Sequence, residues 1–471
     1  MVAVPFPLLS APGKHPQAAG GRLINCYPEK LAATAGQEYA YWRVPGLKGF
    51  GTTAGTNFRG RLLVGNTLYA VIGNRAYSFT SGGGAGVQLT GTVSGTAPVF
   101  MARDNATTPN IVIVSPGDGA QIISAGAVAS YPDIDVDQPN SVKYHRGVFN
   151  FTYGDGTLRN SDVNSTSINT LSQATAESKP DTLYCSMPLG NGQILQVGSA
   201  SMEVWGGQND TGYIWNYIAT IARGVVGPYA ICGDEDGWGK GIFLVGDDYR
   251  VSTLNGYVPT PISTPEIDTL IETEADKTAI TISVYVANGH GFVVVQGANW
   301  CWEYDTTLST WHERQSYLRQ DWRGRFPVQA FGKWLCGDKL SGNLLQLDAA
   351  TQDEVGNPLR MRVETGPMGA FPSPVRVNGI ELYCTKGVGI ATGTDPVQTD
   401  PSVEISISRN GGMNWSNPRA IKVGRQALTD QRVRSAIWGT AEVQGVRWRF
   451  DETSNVPFAF MGASMAVDPL R

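Results

Sequence analysis

Between residues 60 and 350 one short pattern recurs, in degenerate form, at least five times. An apolar run is followed by a turn of Gly, Asn, Asp or Ser and then by a second apolar or aromatic run. It reads RLLVGNTLYAVIGNRAYSF from Arg61, ILQVGSASMEVWGGQ from Ile194 and IFLVGDDYRVSTLNGYV from Ile242. It returns as FVVVQGANWCWEYD from Phe292 and WLCGDKLSGNLLQLD from Trp334. Each copy is a hairpin whose first strand is too apolar to face water, so it has to pack against its neighbours. Repeated hairpins of this kind predict a radial or stacked β array. The commonest closed form is a β-propeller, in which repetition hides the sheet edges. That scaffold hosts many activities, so the repeat constrains fold more tightly than function.

The expected fold class is therefore all-β. Residues 46–360 form a propeller, and blades of roughly 40–50 residues divide that span into five to seven, about six. Residues 1–45 are rich in Pro and Gly and read as an extended arm that joins a platform domain. After 360 the texture changes to at least six alternating strands, including VRVNGIELYCTKG, PSVEISISRNGG and VQGVRWRFDE. Residues 361–471 thus predict an antiparallel, β-sandwich-like platform. The segment between Tyr153 and Pro180 is so rich in Ser, Thr and Asn that it predicts a surface excursion rather than a core strand. One short helix is expected over 264–280, with Thr264 as cap, Pro265 in the first turn, and Ile267, Leu270 and Ile271 on one face.

Composition narrows the partners. The chain has 471 residues, only 16% of them charged, and a formal net charge of −5. Tight nucleic-acid binding shows as a basic domain, which the whole chain lacks. The six cysteines are widely spaced without a CxxC pair, as expected of buried, reduced thiols. The opening MVAVPFPLLSAPGKH has no basic n-region or long apolar core, and no run reaches the roughly 18–20 apolar residues of a membrane span. Folding in a reducing cytoplasm is the expectation.

Candidate chemistry is sparse. SRNGGMNW, from Ser408 to Trp415, fits the Asp-box pattern S-x-D-x-G-x-T-W, with Asn410 and Asn414 in place of Asp and Thr. Its expected role is structural. Ser408 and Asn410 bond back to the turn backbone, Gly412 supplies positive φ, and Trp415 packs the turn on the sheet. A buried Trp415 predicts a loss of roughly 3–5 kcal/mol on truncation to Ala. Arg409, Arg419, Lys422, Arg425, Arg432, Arg434, Arg447 and Arg449 stand against Asp430 and Glu442, so the C-terminal module is locally basic. The four histidines include no pair at ligand spacing, so no metal site is predicted. No GxSxG elbow occurs, and GGGAG at 82–86 lacks the GK[ST] of a phosphate loop. No catalytic residue and no cofactor site are predicted. A glycan-binding or glycan-hydrolysing propeller is the alternative. It requires several Asp boxes and an arginine cluster, whereas this chain has one clear box and an FRGR stretch at 58–61 that only superficially resembles a sialidase's first arginine motif. A generic propeller interaction module is a third reading.

Several segments resemble one family in order along nearly the whole chain. They are RLINCYPEKL followed by VPGLKGF, AESKPDTL before SMEVWGG, WEYDTTLSTWHERQS, LCGDKLSGNLLQLD and SRNGGMNWSNPRAIKVG. They are similar to the packaged-DNA stabilisation, or tail nozzle, proteins of short-tailed bacteriophages. The resemblance implies a homo-hexameric ring in the virion tail, assembled in the host cytoplasm at the distal end of the tail. It also implies a portal-adaptor protein on one side and a tail needle, fibre or spike on the other. The DNA in the lumen would touch the ring only transiently and without sequence preference. On this resemblance Arg425, Arg432, Arg434, Arg447 and Arg449 become candidates for the adaptor-facing surface, and the free protein is expected to be mostly monomeric.

Overall fold

In the computed structural model every residue is described except 177, 208, 210, 211, 370, 371 and 471. Seven antiparallel four-strand units follow one another at 58–88, 100–130, 141–175, 183–221, 231–261, 281–313 and 324–348, the last completed by Gly46–Thr52; the first five are separate sheets and the last two are parts of larger ones. These are the blades of a propeller, numbered one to seven here in chain order. There are seven, the upper end of the expected five to seven, because first strands begin at 58, 100, 141, 183, 231, 281 and 324, within the expected blade spacing. The first strand of blade one touches those of blades two and seven, so the ring is closed.

The second strands explain the apolar runs. Ile111–Ser115, Val148–Thr152, Ile194–Gly198 and His290–Gln296 are buried along their whole length. In such a strand both faces meet a neighbouring blade, so the sequence is continuously apolar rather than alternating. Blades approach closely where a side chain is missing: a Cβ on Gly337 would lie 2.0 Å from the ring of Phe58, which is fully buried between blades seven and one.

The polar segment 153–180 is not an excursion. It supplies two strands of blade three, Thr157–Ser161 and Ile168–Thr175. Leu158 and Ile168 reach the core, while Ser172 Oγ lies 3.0 Å from Asn160 Oδ1 and 2.9 Å from the Gly212 carbonyl. Hydrogen-bonded polar side chains thus satisfy an outer strand that apolar burial does not. The helix forms over Pro265–Thr273 between blades five and six, with Ile267 and Ile271 buried and Thr264 at the N-cap without a side-chain cap bond.

Closure of the ring is non-local. Gly46–Thr52 pairs antiparallel with Leu344–Asp348 and becomes the fourth strand of blade seven. The chain on both sides of the propeller builds a two-sheet platform. One sheet runs Cys26–Lys30, Tyr39–Arg43, Ala459–Pro469, Val375–Cys384, Val433–Ala441, with Val2–Val4 beside Ala459–Pro469. The other runs Gly21–Ile24, Met361–Thr365, Arg447–Glu452, Ser402–Ser408, Arg419–Lys422. Leu23, Val363, Ile405, Trp448 and Phe450 of the second sheet share a core with Tyr41, Val377, Ile380, Leu382 and Phe460 of the first. The second sheet is continuous with blade six: Ile24 bridges Glu313 in parallel, and Asn25 N donates to the Glu313 carbonyl at 2.8 Å. Platform and propeller are therefore joined by backbone pairing as well as by side chains.

Candidate functional site

First strands converge on the propeller axis, where a cavity of about 430 Å3 opens. Tyr229 lines it. Its ring stacks on Phe100 at 5.5 Å, lies 6.2 Å from Phe326, and its hydroxyl donates to the Pro98 carbonyl at 2.8 Å. At the mouth Lys143 pairs with Asp234, and Arg61 Nη2 donates to the Pro327 carbonyl at 2.7 Å. Burial and the adjacent Asp234 push the Glu235 carboxyl up, while Arg61 opposes them. The nucleophiles lining the cavity are not activated. Burial pushes the Cys185 thiol up to about 12, and Ser186 Oγ accepts from Asn150 Nδ2 at 2.8 Å with no histidine beside it. The buried histidines lie within blade six, His290 on Asp305 at 2.7 Å and His312 on Glu303 at 2.9 Å. Among the described residues no cluster of His, Cys, Asp and Glu has the arrangement of a metal site. All six cysteines are buried and unpaired.

The FRGR stretch is a clamp between blades one and two. Arg59 is fully buried and donates to the carbonyls of Ala97 (2.6 Å), Gly73 (2.9 Å) and Ser94 (2.7 Å), and to Ser115 Oγ (2.9 Å). A fully buried guanidinium that gives four of its five N–H groups to its neighbours is closed to a substrate carboxylate.

In the Asp-box-like turn, Ser408 Oγ accepts from Gly412 N at 2.7 Å and donates to Asn410 Oδ1 at 3.0 Å, which also accepts from Asn414 N at 3.0 Å. Gly412 has a φ of +106°. Trp415, however, is only half-buried: it lies over the Arg449 guanidinium at 3.9 Å instead of entering the core. The five candidate arginines do not share one face. Arg447 is buried, donating to the Thr365 and Pro16 carbonyls and to Glu364 Oε1 at 2.8 Å, so it is unavailable to any partner. Arg449 is half-buried between Trp415 and Glu364. Arg425, Arg432 and Arg434 are exposed, with Arg432 paired to Glu381 at 2.7 Å. Burial separates them: Arg434 on the edge strand Val433–Ala441, Arg432 just before it and Arg425 in the loop after Arg419–Lys422 face water, whereas Arg447 faces the arm.

One cluster escapes a motif search. Tyr285, Glu303, His312, Arg314, Trp322 and Glu354 form a buried polar network where blade six, blade seven and the platform meet. Tyr285 Oη donates to Glu303 Oε1 at 3.0 Å, Trp322 Nε1 to Glu354 Oε1 at 3.1 Å, and Arg314 Nη2 to the Pro45 carbonyl at 2.7 Å. Burial pushes the Glu303 carboxyl up, but Arg314 and the bond to His312 outweigh it and hold it below its ordinary value. The signal available was WEYD followed by WHER: charged residues on strands with no room for a solvent face.

The sequence matches two families in succession. Residues 19–352 match the one described as bacteriophage P22 Gp10, beta-propeller, and residues 371–468 the one described as bacteriophage P22 Gp10, beta-sandwich. Comparison with curated proteins returned no match. Among solved structures the chain is similar to PorZ, a bacterial surface component of the type-IX secretion system of Porphyromonas gingivalis. Identity there is 13% and the TM-score 0.40, over 72% of this chain and 45% of PorZ, so the chain spans less than half of that protein. It is similar to a streptogramin B lyase at 12% identity and a TM-score of 0.44, over 65% of this chain and 98% of the lyase. The WD40 propeller domain of Doa1 aligns at 11% identity and 0.39, over 65% and 96%. With the propeller match and the sandwich match in chain order over most of its length, the chain belongs to the bacteriophage P22 Gp10 family of packaged-DNA stabilisation, or tail nozzle, proteins.

Proposed function

We propose that this chain is a non-enzymatic structural protein of a phage virion, the nozzle at the distal end of a short tail. Copies form a ring, six in number, around the DNA channel. The ring sits between a portal-adaptor protein and a tail needle, fibre or spike, and it closes the channel against loss of the packaged genome. The observation that carries this reading is the family match over both domains, 19–352 and 371–468.

The geometry is compatible with that task. A ring element under internal pressure needs units that do not shear, and here one sheet runs without interruption from blade six through the platform. A lumen through which DNA slides is served by few phosphate contacts, because every released counterion tightens binding. A net charge of −5 agrees with this.

Electron micrographs of particles made by the encoding phage without this chain test the reading. The expected particles have DNA-depleted heads and lack a distal tail segment. Particles that keep both their DNA and a full-length tail would overturn it.

A further inference from the structure

We propose that two patches on opposite sides of the propeller pair one copy of this chain with the next, head to tail. One is the acidic, apolar turn around Ile134; the other is the arginine-lined groove under Leu318. The proposal rests on the nozzle reading for its claim that copies meet at all.

The first patch projects from the connection between blades two and three. Ile134 is 90% exposed, and Leu171, on the adjoining outer strand of blade three, is 85% exposed. The turn is rigid, because Asp133 Oδ1 accepts from Asp135 N at 3.0 Å and Oδ2 from Ile168 N at 2.7 Å. Three carboxylates flank Ile134, those of Asp133, Asp135 and Asp137. Against them stands Arg159, which donates to the Asp135 carbonyl at 2.9 Å. An apolar knob in an acidic collar is expensive to leave in water and selects a basic, apolar partner.

The second patch projects from the connection between blades six and seven. Leu318 is 88% exposed at a φ of +57°, a left-handed conformation that a leucine adopts only when its surroundings impose it. They do so here. Ser316 N donates to the Asp321 carbonyl at 3.0 Å, Arg319 grips Asp321 with bonds of 2.7 and 2.9 Å, and Asn25 Oδ1 accepts from Gln315 N at 2.8 Å. Beneath the loop is a groove of about 740 Å3 lined by Arg22, Arg319, Arg360 and Arg362 together with Tyr317. No carboxylate lines it. Arg22 pairs with Glu313, Arg319 with Asp321 and Arg362 with Asp451, whereas exposed Arg360 makes no direct ion pair among the described residues and feels Asp451 and Glu404 only at longer range.

Position supports a self-contact. Both patches lie in the same kind of connection, from the outer strand of one blade to the first strand of the next, so both are at the same end of the propeller. They are separated by three blades one way and four the other, which places them on opposite flanks. A heterologous contact repeated around a ring joins two different surfaces at one height, and these two are opposite in charge. A second copy of this chain therefore fits both patches at once.

The test uses full-length chains bound to particles. Because all six native cysteines are buried, Ile134→Cys combined with Leu318→Cys introduces the accessible thiols. Oxidation is expected to link copies into a ladder on a non-reducing gel with the double variant and not with either single one. Independently, Asp135→Arg and Arg360→Glu are each expected to lower the copies bound per particle about tenfold, and the two together to restore them, with melting temperatures unchanged. If wild-type rings form while neither cross-links nor charge dependence appear, the self-pairing is wrong and the nozzle reading stands. Loss with Arg360→Glu alone, not rescued by Asp135→Arg, means that another protein fills the groove, which also overturns the proposal. If the wild-type chain joins no particle, both readings fall.

Discussion

Trp415 marks the difference between a motif and its setting. The turn that carries it is built as the Asp-box pattern requires, with Ser408 and Asn410 collecting backbone N–H groups. The indole then stacks on Arg449 at 3.9 Å rather than filling the core. Truncation to Ala therefore removes a cation–π contact and part of an apolar surface, about 1–2 kcal/mol rather than 3–5. Thermal melting of the Trp415→Ala variant checks this: a small downward shift is expected, and a loss matching a core deletion would contradict the half-buried geometry. Acid has a larger effect at Asp338. Burial pushes its carboxyl up, but bonds from Arg323 at 3.0 and 2.6 Å, with Ser341 and Leu340 N, outweigh it and hold it below 3.8. A folded value below the unfolded one gives stability that is complete above about pH 4 and is lost as pH falls through the folded value. Asp321 is depressed in the same direction, with Arg319 and Lys339 overcoming burial. Melting temperature should thus fall with acidification below pH 4, and Asp338→Asn should lower it at pH 7 while flattening that slope.

At the scale of elements, the closing strand decides whether seven sheets make one ring. Gly46–Thr52 lies far in sequence from Leu344–Asp348, yet the two pair along most of their length. Leu47 is fully buried in that strand. Leu47→Ala should cost about 2–5 kcal/mol, and amide exchange should accelerate together in 46–52 and 344–348. Acceleration in one strand alone would show that the pairing does not latch the ring. This latch was not legible in the sequence, because nothing in GLKGFGT announces a partner almost 300 residues away. Hairpin repeats were legible, since a second strand packed on both faces must be continuously apolar. Blade three was hidden because its outer strands meet their needs by hydrogen bonding, as Ser172 and Asn160 do. For the candidate surfaces, the arginines of the platform were visible but their burial was not. Arg447 and Arg432 read alike in sequence, although one is enclosed by Glu364 and the arm and the other faces water. Leu318 and Ile134 carried no motif at all; only their exposure in the folded chain distinguishes them.

At the scale of the molecule, the propeller and the platform behave as one body because the sheet of blade six runs on into the platform through Ile24 and Glu313. Arg43 and Glu452, with side chains 1% and 0% exposed, add a buried ion pair, and Arg43 Nη1 also donates to the Gln352 carbonyl at 3.0 Å, in the segment that leaves blade seven. Such joining lets load pass between propeller and platform, which the proposed nozzle role requires. Retention of the genome by this chain, as proposed, is tested by an add-back titration. Purified wild-type chain is added to freshly packaged particles that lack it, and the fraction of DNA-filled heads is followed over time. Retention is expected to rise with added chain and to saturate at a fixed number of copies per particle. Retention that is already complete without the chain, or that does not respond to it, would rule out this role for the chain.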